Sequence, residues 1–166
     1  MNHPLESLAR ELGLDAPAQL PLRLQFGYAC ALRVRHLLEE PAVLECLAVL
    51  GRRVQGSESA DRLREAAAEA ARLANRHEGS RSIDGCGHAA VSATYAVANA
   101  LAGKALAAAE YAAYASVYAM GGYGAVADRA SFEPEFAWQV ATLRSLAEAA
   151  NAPFRDPARC AAPPGA

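Results

Sequence analysis

Lysine is almost missing from this chain: Lys104 stands alone among the basic residues, and the rest are arginine. That is a bias of codon usage rather than of chemistry, because the formal net charge is only −2. Without a basic excess there is no electrostatic case for nucleic acid or for an anionic membrane surface. Cysteine is sparse and scattered (Cys30, Cys46, Cys86 and Cys160), with no spacing that reads as a disulfide framework. The opening Met-Asn-His-Pro-Leu-Glu lacks the basic and apolar regions of a signal peptide. Free thiols in a reducing cytoplasm are the natural expectation. Long runs of large apolar residues are also lacking. Residues 85–103 and 111–127 carry no formal charge, but they are built mainly of Ala, Gly, Ser, Asn and Tyr. Insertion into a bilayer would gain little from such residues, so no membrane partner is expected.

What the chain has in quantity is alanine, about a quarter of its 166 residues. Hydrophobic types reach 53% and charged types 20%, which excludes general disorder. Alanine is the best helix former and the poorest source of buried area, so close backbone approach must replace bulky side chains in the core. No segment shows the period-two alternation of a strand. The expectation is an all-α fold, a single-domain Ala-rich bundle of about six helices over residues 1–155, with a flexible Pro-rich tail over 156–166.

Punctuation by Pro and Gly divides the chain. Pro4 and Gly13 frame a short first helix. Pro21 opens a second that runs to Glu40, with Leu22, Phe26, Cys30, Val34, Leu37 and Leu38 on one side. Pro41 opens a third, carrying Val43, Leu44, Leu47, Leu50 and Val54 and stopping at Gly56. Ser57 or Ser59 caps a fourth, whose inner face is Leu63, Ala66, Ala67, Ala70 and Ala74. On its outer face Arg62–Glu65 and Glu69–Arg72 form pairs one turn apart. Residues 78–87 read as a loop, with Ser82 a candidate cap for the fifth helix. From His88 to Met120 an unbroken helix would be a rod of roughly 50 Å, too long for a domain of this size. A break near Gly103 therefore divides it into helices over about 84–102 and 104–120, the first small or apolar on every side and so central. Gly121-Gly122-Tyr123-Gly124 ends the second. Pro134 starts the last helix, which carries Phe136, Val140, Leu143 and Ala147 and is anchored by Trp138.

Three features carry candidate chemistry. His77, Asp84, Cys86 and His88 are ligand types beside flexible glycines, a weak candidate for a metal or catalytic loop. Their spacing matches no standard zinc pattern, and neither a metal nor another cofactor is expected. Cys30 and His36 lie six apart on one helix and point to different faces, and no elbow motif surrounds any Ser, so an activated nucleophile is not expected. Glu110, alone among apolar residues, reads as a solvated helix edge facing Lys104 or Arg129. The third feature is a stripe of Tyr111, Tyr114 and Tyr118 on one helix face, with Tyr123 after the turn. Tyrosine suits interfaces because it combines rigid area with a hydroxyl, so these four are the candidate partner-binding residues.

Several stretches, in order, resemble one family. Cys30-Ala31-Leu32-Arg33-Val34-Arg35-His36-Leu37 is similar to the opening "CA-x-RV-x-x-L" helix of alanine-rich helical immunity proteins of bacterial toxin systems. Residues 63–74 resemble their second helix, Gly87-His88-Ala89 their "GHA" central helices, and Trp138-Gln139 with Leu143 their closing segment. Asn151-Ala152-Pro153-Phe154-Arg155 resembles the end of Ala-rich helical modules in large bacterial proteins. Tyr95 and Asn99 stand here where that family usually has further histidines. The resemblance implies a non-enzymatic protein that occludes a partner protein, such as a cognate toxin. It supplies no catalytic residues. Two other classes stand beside it: a small enzyme or metal-binding protein using the His77–His88 loop, and an Ala-rich module that forms homo-oligomers.

Overall fold

The computed structural model describes residues 2–79 and 87–151. Among these the chain is all-helical, with seven α-helices where about six were expected, three short 3-10 turns and no strand. The helices are α1 (His3–Glu11), α2 (Leu20–Arg33), α3 (Pro41–Val54), α4 (Ala60–Arg76), α5 (His88–Leu101), α6 (Ala105–Ala127) and α7 (Glu133–Asn151). No described helix is long and apolar enough to cross a membrane. The expected tail over 156–166, the Pro153-Phe154-Arg155 motif, Cys160 and the Ser82 cap lie outside the described residues.

The punctuation acts through local chemistry. Asn2 caps α1, its Oδ1 accepting from the Leu5 N–H at 3.2 Å, and Pro4 occupies the first turn, where no N–H is needed. Ser59 Oγ accepts from the Arg62 N–H at 3.1 Å and so caps α4, which selects Ser59 over Ser57. Glu40 is extended, with ψ 122°, as the residue before Pro41 must be, and α3 begins directly after it. The outer face of α4 carries the expected Arg62–Glu65 and Glu69–Arg72 pairs, each adding a few tenths of a kcal/mol, roughly.

Two expectations are corrected. The second helix does not reach Glu40. It stops at Arg33, Val34 leaves helical geometry, and Arg35–Leu37 form a 3-10 turn. The tighter turn still buries Val34, Leu37 and Leu38, so it satisfies the same apolar spacing. The Gly121–Gly124 run does interrupt the regular helix, as expected: Gly122 leaves helical geometry, and a second helical stretch follows the kink to Ala127. The last helix begins one residue before Pro134, at Glu133. The break at Gly103 is where the rod-length argument put it, and α5 is described from His88 onward.

As its composition implied, α5 is central: it packs against α2, α3, α4 and α6. Its Ala89, Ala93, Ala96, Val97 and Ala100 are fully buried. Its approach to α2 is close: a Cβ placed on Gly27 would lie 3.1 Å from both Cα and Cβ of Ala100. Only glycine lets the two backbones meet so closely, and that contact supplies the dispersion energy that larger side chains would otherwise provide. Phe26, Leu50, Val43 and Leu143 fill the wider gaps around this seam.

Buried polar groups tie the two ends of the chain together. Asn2 Nδ2 donates to Gln139 Oε1 at 3.0 Å and to the Phe136 carbonyl at 3.1 Å, and Gln139 Nε2 donates to the Ala109 carbonyl at 2.8 Å. Arg33 donates from Nε and Nη2 to the two oxygens of buried Glu135, at 2.7 and 2.8 Å. That paired bond raises the affinity of Arg33 for its proton. The same guanidinium lies 4.5 Å over the ring of Trp138, which packs against the core.

Candidate functional site

A kink in α6 organises the most distinctive surface. Gly122 has φ 62° and ψ −152°, a conformation closed to ordinary L-residues. Its neighbour Gly121 is equally constrained, since a Cβ there would come within 2.6 Å of the Ala125 side chain. Together they permit a kink that places Tyr123 beside Tyr118, ring centroids 5.7 Å apart and edge to face. His88, the first residue of α5, completes the group at 5.6 Å from Tyr118 and 5.3 Å from Tyr123. Such mutually edge-on rings fill the space between them and hold one another in place.

The tyrosine stripe therefore has three different environments. Tyr111 stacks on Tyr95 of α5 at 5.0 Å, and Tyr95 in turn donates from its hydroxyl to Asn75 Oδ1 of α4 at 3.1 Å. Tyr114 meets Phe132 edge-on at 5.2 Å and keeps a tilted contact with Tyr118 at 6.2 Å. Tyr118 is half-buried within the His88 group, and Tyr123 is 58% exposed. Helical periodicity does not single out Met120, yet it is the most exposed large apolar residue described, at 69%. A methionine directly before a Gly-Gly pair is the sequence signal that marks it. Between Tyr111 and Ala127 no side chain carries a formal charge.

On the other side of Tyr114 lies a pocket of about 240 Å³ between α6, the 129–132 turn and α7. Tyr114, Phe132 and Phe136 line it, together with Glu110, Arg129 and His3. Glu110 is exposed, as expected of a helix edge, but it pairs with neither Lys104 nor Arg129.

The metal-loop residues are only partly described. Asp84 and Cys86 lie outside the described residues, and among those described no group of three or more His, Cys, Asp or Glu gathers. The loop's ends meet, since a Cβ on Gly79 would lie 3.7 Å from the Gly87 Cα. His77 Nδ1 is occupied as acceptor for the Gly79 N–H at 3.2 Å, and His88 belongs to the aromatic group. The described thiols are poorly placed for nucleophilic work. Cys30 is fully buried, and burial, reinforced by the nearby Glu135 carboxylate, holds its thiol far above the ordinary range. Burial also raises Cys46, with Glu69 and Glu45 adding to the effect.

No family model, curated protein or solved structure matches this chain.

Proposed function

We propose that this chain is a non-enzymatic helical binding protein that docks a partner protein on the uncharged end of α6. The observation that carries the reading is the pair Met120 and Tyr123, 69% and 58% exposed, one on each side of the Gly121–Gly122 kink. Large apolar side chains exposed beside a defined backbone kink offer area that a partner can bury, and the Tyr123 ring does so at low ordering cost. Tyr118 and His88 support Tyr123 from beneath. Tyr111 and Tyr114 have neighbours of their own in Tyr95 and Phe132 and lie outside this contact.

The resemblance to alanine-rich immunity proteins makes the partner a bacterial toxin domain encoded beside this gene, and occlusion of its surface the mode of action. The test is co-production of the chain with that toxin domain, scored by growth rescue and by titration calorimetry on the purified pair. The Met120→Ser/Tyr123→Ser double variant should bind at least about tenfold more weakly, roughly 1.4 kcal/mol, and rescue growth poorly. Its circular dichroism spectrum should match the parent. Unchanged affinity in the double variant would remove the proposed face; a toxin domain that does not bind at all would remove the immunity role.

A further inference from the structure

We infer that the pocket between α6, the 129–132 turn and α7 takes a free aromatic α-amino acid. Its space, about 240 Å³, falls below the roughly 300 Å³ at which pockets for drug-sized ligands begin, so the guest is small. Its apolar lining comes from a run of rings. Phe132 meets Tyr114 edge-on at 5.2 Å and lies near-parallel to Phe136 at 5.5 Å. Ala113, Val126 and Ala127 complete the lining, and the smallness of these side chains leaves the hollow open. A planar guest continues this run by the same edge-to-face and offset contacts that its members make with each other.

The charged lining narrows the class further. Glu110 and Arg129 both line the pocket, and among the described residues neither makes an ion pair, whereas His3, also in the lining, is engaged with Glu6 through Nδ1 at 3.3 Å. A hydrocarbon would make no use of either charge. A carboxylic acid would answer only Arg129, whose planar fork suits two carboxylate oxygens, and an amine would answer only Glu110. A zwitterion with a ring attached answers all three features. The inference is independent of partner docking, because neither Met120 nor Tyr123 lines the pocket.

The test uses the full chain and three probes of matched size: L-phenylalanine, phenethylamine and 3-phenylpropionate. At millimolar concentration L-phenylalanine should raise the melting midpoint, more with increasing concentration, as ligand binding to the native state requires. The two singly charged analogues should bind roughly tenfold or more weakly, each having lost one charged contact. Glu110→Gln should abolish the preference for phenylalanine over 3-phenylpropionate, and Arg129→Gln the preference over phenethylamine. Both side chains are exposed, so these variants should keep the parent's fold. Absence of any shift with phenylalanine, equal binding of the three probes, or preferences unchanged in both variants would each overturn the inference.

Discussion

The two apolar clusters of this protein are built on opposite plans. The larger one joins side chains from all seven helices and is lined chiefly by alanine around the α2–α5 seam. The smaller one, Ala113, Val117 and Phe132 with Tyr114, Val126 and Phe136 around them, lies between the second half of α6 and the start of α7. Small side chains let helices close until backbones touch, and the seam at Gly27 and Ala100 has no room to spare. Beside Tyr114, Phe132 and Phe136, the small side chains of Ala113, Val126 and Ala127 leave a pocket open. Close alanine packing and aromatic packing thereby occupy different parts of one short chain.

The contrast is most sharply broken at Phe26, which has no exposure and fills one of the few wide gaps in the larger cluster. Phe26→Ala should cost about 3–5 kcal/mol of unfolding free energy, since the surrounding alanines cannot collapse into the vacancy. Urea denaturation measures it; a loss near 1 kcal/mol would mean that the seam is as loose as the aromatic end. Tyr114→Ala should cost less, about 1–2 kcal/mol, because the ring is half-buried and already borders open space. If its cost equals that of Phe26→Ala, the aromatic cluster is as integral to stability as the seam.

The smallest effect lies on the solvated side of the larger cluster. Arg52 bridges Glu45 of α3 and Glu58, which precedes α4. The Arg52 hydrogen bond, then the Ser59 N–H, lower the Glu58 pKa below its ordinary 4.5. The folded state therefore holds this carboxylate in its charged form more readily than the unfolded chain does. The contribution is complete above about pH 4.5 and fades as pH falls through the lowered value. Glu58→Gln should flatten the acid limb of the stability profile slightly, with no change at neutral pH beyond what an exposed pair supplies. A profile identical to the parent's down to pH 3 would show that this pair contributes nothing measurable.

Much of the larger cluster was legible in the sequence because its signals are local. Pro4, Pro41, Ser59 and Gly103 each act within a turn of where they stand, and the small-on-all-sides pattern of α5 encodes its central place. The end of α2 was not legible. A 3-10 turn and an α-helix both bury residues three apart, so Val34 and Leu37 fit either. The candidate site was legible only in its residue types. Tyr111, Tyr114 and Tyr118 do share a helical face, and Tyr114 touches Tyr118, but the long-range neighbours that fix them are Tyr95, Phe132 and His88. The Arg33–Glu135 pair spans 102 residues and has no local signature at all.

The Asn2–Gln139 bond also sets a clock. Its partners stand 137 residues apart, and α1 finds much of its cover on α7. At about 5–20 residues per second, a ribosome needs roughly 7 to 27 seconds to travel from one to the other. Through that interval Leu5 and Leu8, buried in the finished fold, have no lasting cover from α7, while the α3–α4 and α5–α6 neighbours can already meet. The α1–α7 contact therefore cannot form until residue 139 has been made, whereas the α3–α4 and α5–α6 contacts need only chain made earlier.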